Sequence, residues 1–352
     1  MAPSFSFRRG NAAKLARIPL YAVGRIGTLL VPRGRGWVFG CGAGIGDGAL
    51  ALWHVATANG HAAVWLVGSP QEEADAAARG IRTIRKGGIR GWWATARAGV
   101  IVVTHGLGDV DPYAVGGGFV VQLWHGIPLK RLGLDSPATT EVPDVPGAPL
   151  LRRLMRVAYR FTQSGIRLLP AASHRSRGRL ESAFGLGSDT VLVTGEPRVD
   201  VLSAGDPEQR RASAAAILHA TAGEIPEATR TVLYAPTWRD GDPDPAVPSA
   251  AEWIDLITLL EQHDAVLLVR PHPLGEGAYR PPLPTSRVRM LRSSDLRDVT
   301  PALPAVDVLI TDYSSLAYDV GLLGMPVLHL APDEAEYARI CTALEARKGG
   351  HV

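Results

Sequence analysis

The residues of this chain best suited to chemistry stand where apolar runs stop. His125 lies in Val120-Val-Gln-Leu-Trp-His-Gly-Ile-Pro-Leu-Lys-Arg131, at the tip of an expected strand, with Gly126 and Pro128 behind it and Lys130 and Arg131 beyond. An imidazole in that position is arranged for proton transfer beside an anionic substrate; a capped turn holding a structural histidine is the alternative. Three segments of the second half repeat the design. Tyr234-Ala-Pro-Thr-Trp-Arg-Asp240 puts Thr237 and Arg239 after a strand, and Leu268-Val-Arg-Pro-His-Pro273 puts Arg270 and His272 after another. Asp307-Val-Leu-Ile-Thr-Asp-Tyr-Ser-Ser-Leu316 runs through Asp312 into an expected helix whose first turn carries Ser314 and Ser315. Free N–H groups and two hydroxyls at a helix start suit a phosphate. Ion pairing of the arginines and simple N-capping by the serines remain open as structural alternatives.

Those residues need strands to carry them, and the chain supplies the pattern. Strands are expected at Gly36–Phe39, Ala63–Val67, Val100–Thr104, Val120–Leu123, Arg167–Leu169 and Thr190–Thr194. Helix-compatible stretches such as Asp47–Ala58 and Pro70–Arg79 lie between them. The alternation resumes with Thr231–Ala235, Ala265–Arg270, Val288–Leu291, Asp307–Thr311 and Pro326–Leu330. Two runs of strand–helix units imply an α/β chain with two parallel-sheet domains facing each other. The domain change is placed at Ser203–Pro207, before the Ala-rich helix Gln209–Ala222, giving a leader 1–36 and domains 37–203 and 204–352. Asp135–Leu150, rich in Pro, Ala and Gly, reads as a long surface loop or lid.

Composition narrows the function. With 352 residues, 46% of them hydrophobic, there is enough chain for two cores. Two cysteines exclude a disulfide framework or a thiolate zinc cage and suit a reducing cytoplasm. The net charge of +3 is unevenly spread: no acidic residue precedes Asp47, whereas Arg8, Arg9, Lys14, Arg17, Arg25, Arg33 and Arg35 do. The apolar stretch Ile18–Val31 is interrupted by Arg25 and too short to span a bilayer. On a helix, Lys14, Arg17, Arg25 and Thr28 fall within roughly an 80° arc, an imperfect basic stripe suited to an anionic membrane face. Packing on the protein's own surface is the alternative. Aromatics, 6% of the chain and not interleaved with the cations, argue against nucleic acid.

Familiar signatures fail. Gly40-Cys-Gly-Ala-Gly-Ile-Gly-Asp-Gly48 follows a strand, but the next strand ends Leu66-Val-Gly-Ser69 without a ribose-binding carboxylate. No Walker loop or metal-spaced histidine pair is present, so neither cofactor nor metal is expected; two carboxylates distant in sequence meeting at Mg²⁺ are the alternative.

Taken together, Trp124-His-Gly-Ile-Pro-Leu-Lys130, Gly195-Glu-Pro-Arg-Val-Asp200, Tyr234–Asp240, Arg270-Pro-His-Pro273 and Thr311-Asp-Tyr-Ser-Ser315 resemble, in order and spacing, the motifs of the CDP-glycerol glycerophosphotransferases of teichoic-acid synthesis. Trp37-Val-Phe-Gly40 and Thr104-His-Gly-Leu-Gly-Asp109 extend the resemblance. It implies a GT-B fold of two Rossmann-like domains with the site in the cleft between them. It also implies a CDP-glycerol or CDP-ribitol donor, a prenyl-diphosphate-linked saccharide acceptor, and action at the cytoplasmic face of the membrane. His125 then matches the general base and His272 the histidine beside the pyrophosphate. Thr237, Arg239, Arg270, Asp312, Ser314 and Ser315 fall to the donor phosphates, and Gly126, Pro128, Lys130, Gly195 and Arg198 to shaping the cleft. A glycosyltransferase or epimerase on the same fold, with another nucleotide donor, is the competing expectation. A membrane-bound scaffold without catalysis is a third, and the presence of both histidines argues against it.

Overall fold

A computed structural model describes residues 18–142, 145–237, 246–271 and 279–335. The chain divides into two compact units, Met1–Arg198 and Val199–Val352. The first contains α1 (Ile18–Leu29), β1 (Trp37–Phe39), α2 (Asp47–Ala58), β2 (Ala63–Val67), α3 (Pro70–Ala78), β3 (Thr83–Arg85) and α4 (Ile89–Arg97). It continues with β4 (Val100–Val103), β5 (Phe119–Gln122), α5 (Ala148–Gln163), β6 (Ile166–Ala171), α6 (His174–Phe184) and β7 (Val191–Val193). The strands form one sheet in the order β3-β2-β1-β4-β5-β6-β7, every pair parallel.

A run such as Val100-Ile-Val-Val103 makes a good central strand because helices cover both faces of a parallel sheet, leaving no polar side to accommodate. One face is filled by the rings of Phe39, Trp53 and Trp65, with Phe39 5.1 Å from Trp53 and 5.9 Å from Trp65. Ile101, Leu169, Leu180 and Val191 fill the other. Local chemistry starts the helices: Ser69 and Ser173 each accept an N–H from the first turn of α3 and α6.

The second unit runs α7 (Pro207–Ala222), β8 (Arg230–Ala235), α8 (Ala250–Gln262), β9 (Ala265–Val269), β10 (Val288–Met290), β11 (Val308–Thr311), α9 (Leu316–Gly321) and β12 (Val327–His329). Its parallel sheet has the order β10-β9-β8-β11-β12. Ser249 and Glu252 close a capping box on α8. Two parallel α/β sheets in one chain are the architecture expected of the GT-B class. Each sheet reverses its strand order once, between β1 and β4 and between β8 and β11, and such switch points open a crevice at the carboxyl ends of the strands.

Three expectations need correction. β3 was not foreseen; it is three residues long and owes its existence to pairing with β2. The expected loop Asp135–Leu150 holds 3-10 turns at Gly133–Asp135 and Pro137–Thr140, and its last three residues already belong to α5. In α1, Thr28 is buried, with its hydroxyl on the Arg25 carbonyl, so it does not extend a solvent-facing basic stripe. Lys14 and Arg17 lie outside the described residues. The helix rests on its own unit: the Tyr21 and Tyr113 rings are 4.8 Å apart, and the Arg25 guanidinium lies 4.7 Å above the Phe161 ring of α5. No described helix is long and apolar enough to cross a membrane.

Candidate active site

At the first switch point, the carboxyl ends of β1, β4 and β5 bring together Cys41, Thr104, His105 and His125. Past β5 the backbone turns sharply. Trp124 takes a left-handed φ of 63° and Gly126 one of 141°; for a tryptophan that conformation costs roughly 1–2 kcal/mol and swings the next side chain out at the edge. The His125 ring packs against Trp124, centroid to centroid 4.1 Å, and against His105, 4.2 Å away and only 2° from parallel. Its Nδ1 faces the Thr104 carbonyl at 3.5 Å. His125 remains exposed at its outer edge, yet the protein crowded around the ring, and secondarily the charges of His105 and Arg198, push its pKa down to about 4. It therefore stands unprotonated at neutral pH, which a proton acceptor requires.

Its neighbours are held by a small polar web. The buried Asp109 carboxylate accepts the backbone N–H of Thr104 at 2.8 Å and of His105 at 2.7 Å. The Thr104 hydroxyl lies 3.1 Å from Cys41 Sγ and 2.7 Å from His105 Nδ1. Glycines make room for this loop: a Cβ on Gly40 would collide with the Asp109 carbonyl, and one on Gly42 would come within 2.7 Å of the His105 ring. The glycine-rich stretch Gly40–Gly48 thus admits a neighbouring loop. Cys41, Asp47 and His105 offer ligand atoms within 4.8 Å of one another. A cation there would have to displace the proton of a thiol that burial pushes up to about 12.

The other residues singled out in the first unit frame this edge. The Pro128 carbonyl accepts Arg179 Nη1 at 2.6 Å, which anchors the turn after His125. Lys130 is exposed. Gly195 has φ +82°, a conformation that glycine takes without strain. Arg198 Nε donates to Glu196 at 2.9 Å, and both side chains are nearly inaccessible. Glu196 lay inside a quoted motif, but only the fold shows it as the counter-charge.

In the second unit, Arg239 and His272 lie outside the described residues. Those that are described hold the edge together. Arg270 is mostly enclosed, and its guanidinium donates to the carbonyls of Leu296 at 2.7 Å and Arg297 at 2.9 Å. Burial lowers its pKa, and in this structure it braces the loop after β10 where a free cationic contact was expected. Asp312, also buried, accepts the Thr237 N–H at 2.9 Å and its own neighbour Tyr313 N–H at 2.6 Å, tying the end of β8 to the end of β11. Ser314 Oγ accepts the Leu316 N–H at 3.2 Å. Both serines precede α9 and do not sit in its first turn, and six residues give that helix little dipole.

A profile of the family described as CDP-Glycerol:Poly(glycerophosphate) glycerophosphotransferase matches residues 44–341. The chain belongs to that family. It is 30% identical over 226 residues to the teichoic acid poly(glycerol phosphate) polymerase of Staphylococcus epidermidis, covering 62% of this chain and 29% of that protein. It is 29% identical over 223 residues to the teichoic acid glycerol-phosphate transferase of Staphylococcus aureus, covering 62% and 53%. The matched stretch thus spans between about a third and a half of these relatives' length. Among solved structures, the wall teichoic acid polymerase TagF superposes with a TM-score of 0.69 at 22% identity, over 94% of this chain and 80% of that one; the likeness is one of fold.

An exposed apolar surface absent from the sequence reading lies on α5. Leu150, Leu154, Val157 and Phe161 are all exposed large apolar side chains, spaced four, three and four residues apart so that they form one outward stripe. Arg152, Arg153, Arg156 and Arg160 share the helix, which has no acidic residue. On α1, Leu20, Val23 and Ile26 are exposed as well. The 3.6-residue spacing was available in the sequence. That the apolar stripe faces outward was not.

Proposed function

We propose that this chain transfers a polyol phosphate, glycerol phosphate first, from a CDP-polyol to a hydroxyl of a lipid-linked, teichoic-acid-like acceptor, with CMP as the leaving group. The posture of His125 carries the reading: an unprotonated imidazole at a strand end, its Nδ1 toward a carbonyl and its other nitrogen available. Family membership supports the donor class. In the step, the acceptor oxygen bonds to the phosphorus bearing the polyol while its proton passes to His125 Nε2. The bond from that phosphorus to the bridging oxygen breaks, and CMP departs with the oxygen and its electron pair. His272 and Arg239, in the roles the family resemblance implies, stabilise the charge growing on that oxygen; Arg270 and Asp312 fix the loops of the second unit. Transfer of this kind asks mainly for positioning and charge stabilisation.

The acceptor's lipid places the reaction at a membrane, and α5 with α1 supplies the contact in this reading. Each apolar side chain of the stripe, fully buried, contributes about 1.5–3 kcal/mol, and each arginine near an anionic surface about 1 kcal/mol. The peripheral position on the cytoplasmic face belongs to the same proposal.

The test is to incubate the protein with CDP-glycerol or CDP-ribitol and a prenyl-diphosphate saccharide acceptor and to identify the released nucleotide. CMP formed only in the presence of acceptor is expected, with the faster donor naming the polyol. A nucleoside diphosphate from a sugar nucleotide, with no CMP from either donor, would overturn the reading in favour of a glycosyltransferase. Flotation with anionic and zwitterionic vesicles tests the surface: the wild type follows the anionic vesicles, and Leu154→Glu/Val157→Glu stays behind. Equal flotation of both proteins would sink the α5 assignment.

A further inference from the structure

A histidine that accepts a proton through one ring nitrogen needs its other nitrogen engaged, since that bond selects the tautomer and fixes the ring. In charge-relay sites a carboxylate side chain does this directly. Here the group facing His125 Nδ1 is a backbone carbonyl, that of Thr104, at a distance of 3.5 Å. A contact that long is useful only if the carbonyl cannot drift, and the surroundings of Thr104 meet that condition. Gln122 Nε2 donates to the same oxygen at 2.8 Å. One buried oxygen of Asp109 gathers the N–H groups of Thr104 and His105 and also lies 3.3 Å from the Thr104 hydroxyl.

The loop bears on the ring's face too. His105, locked through its Nδ1 at 2.7 Å from the Thr104 hydroxyl, lies parallel to His125 and opposes tilting toward that side. Trp124 is a second ring against His125, tilted 35° to it at 4.1 Å, and itself meets Phe184 edge-on at 5.3 Å. Gly40 and Gly42, where no Cβ fits, let this loop sit against β1.

We propose that the Thr104–Asp109 loop is the orienting element of the proposed general base, with Asp109 and His105 as positioning residues: Asp109 fixes the carbonyl that holds the His125 tautomer, and the His105 ring fixes the plane. This rests on the transferase reading for its kinetic consequence, but the cradle itself can be measured without substrate.

In ligand-free protein carrying nitrogen-15 histidine, the His125 signals at neutral pH should report a proton on Nδ1. Asp109→Asn keeps one acceptor oxygen and should retain most of that tautomer, whereas Asp109→Ala should give a mixture. An Nε2–H tautomer in the wild type, or unchanged signals in a folded Asp109→Ala, would overturn the role of the carbonyl. If Asp109→Ala does not fold, His105 decides. His105 is exposed, and His105→Ala should lower kcat about 10- to 100-fold with the KM for CDP-glycerol within about twofold, as expected when only the base is misplaced. His105→Phe, which keeps a ring to stack on, should recover most of the loss. Full activity in His105→Ala removes its role, and failure of Phe to rescue shows that a nitrogen of His105 acts on substrate, which also overturns positioning. Loss of the transferase reading would show as no turnover in the wild type while the tautomer result stands.

Discussion

The carboxyl edges of the two sheets are built alike and furnished differently. At the edge of the first, polar groups such as Asp109 and Gln122 act on the backbone, and the motif histidine keeps an exposed side chain. At the edge of the second, the described motif residues do the bracing themselves: Arg270 is spent on carbonyls, Asp312 on amides, and Thr311 donates its hydroxyl to the Ala235 carbonyl at 2.6 Å. A charged residue at a strand end is therefore not by that fact a ligand contact. Its surroundings decide, because a buried polar group must first satisfy its own hydrogen bonds.

The contrast predicts opposite phenotypes. His125→Ala should lower kcat by on the order of 10²–10⁴, the usual contribution of a positioned acid–base group. Its thermal midpoint should stay near that of the wild type, because the side chain is exposed. A loss of stability as large as the loss of activity would erase the distinction between the edges. At the second edge the order reverses. Asp312→Ala removes the buried acceptor of the Thr237 and Tyr313 amides and should cost about 1–3 kcal/mol of stability, read by urea unfolding. Arg270→Met should destabilise comparably and raise the KM for the donor through a loosened loop, with kcat less affected. If Arg270→Met instead keeps its stability while donor binding collapses, Arg270 is a phosphate contact and the comparison fails.

How far the sequence alone reaches follows from the same contrast. Strand–helix alternation was legible because parallel strands buried on both faces leave unbroken apolar runs, as in Val100–Val103 and Ala265–Val269. β3 was not, since Thr83-Ile-Arg85 has no pattern of its own and is a strand only beside β2. At the site, His125 was legible from its place after an apolar run. Asp109 was visible only as a letter in a motif, because its role depends on a loop folding back five and four residues onto Thr104 and His105. Arg270 reads as a cation in any sequence; only the arrangement of Leu296 and Arg297 around it shows that the charge is occupied. On α5 the periodicity was present, but a stripe of Leu and Phe normally turns inward, and nothing local says that this one does not.

The smallest effect expected is also the most specific to the first edge. Because crowding lowers the His125 pKa to about 4, the ring stays neutral from pH 7 down to near that value. The acid limb of kcat/KM, which reports the free enzyme, should then fall well below the ordinary histidine value of about 6.5. The same sign applies to folding: between those two values the unfolded chain binds more protons at this site. Its contribution to stability is therefore present above pH 6.5 and declines as the pH falls toward 4. Arg198 adds a like charge that works in the same direction as burial but less strongly. Arg198→Met should move the acid limb up by a fraction of a pH unit. It should also lower stability by more than a surface substitution would, because it removes one member of a nearly inaccessible ion pair. A parallel titration of the His125 ring signals separates the two effects. If the limb stays in place while the ring's own titration shifts, the acid limb belongs to another group, and the tuning of His125 has no part in setting the rate.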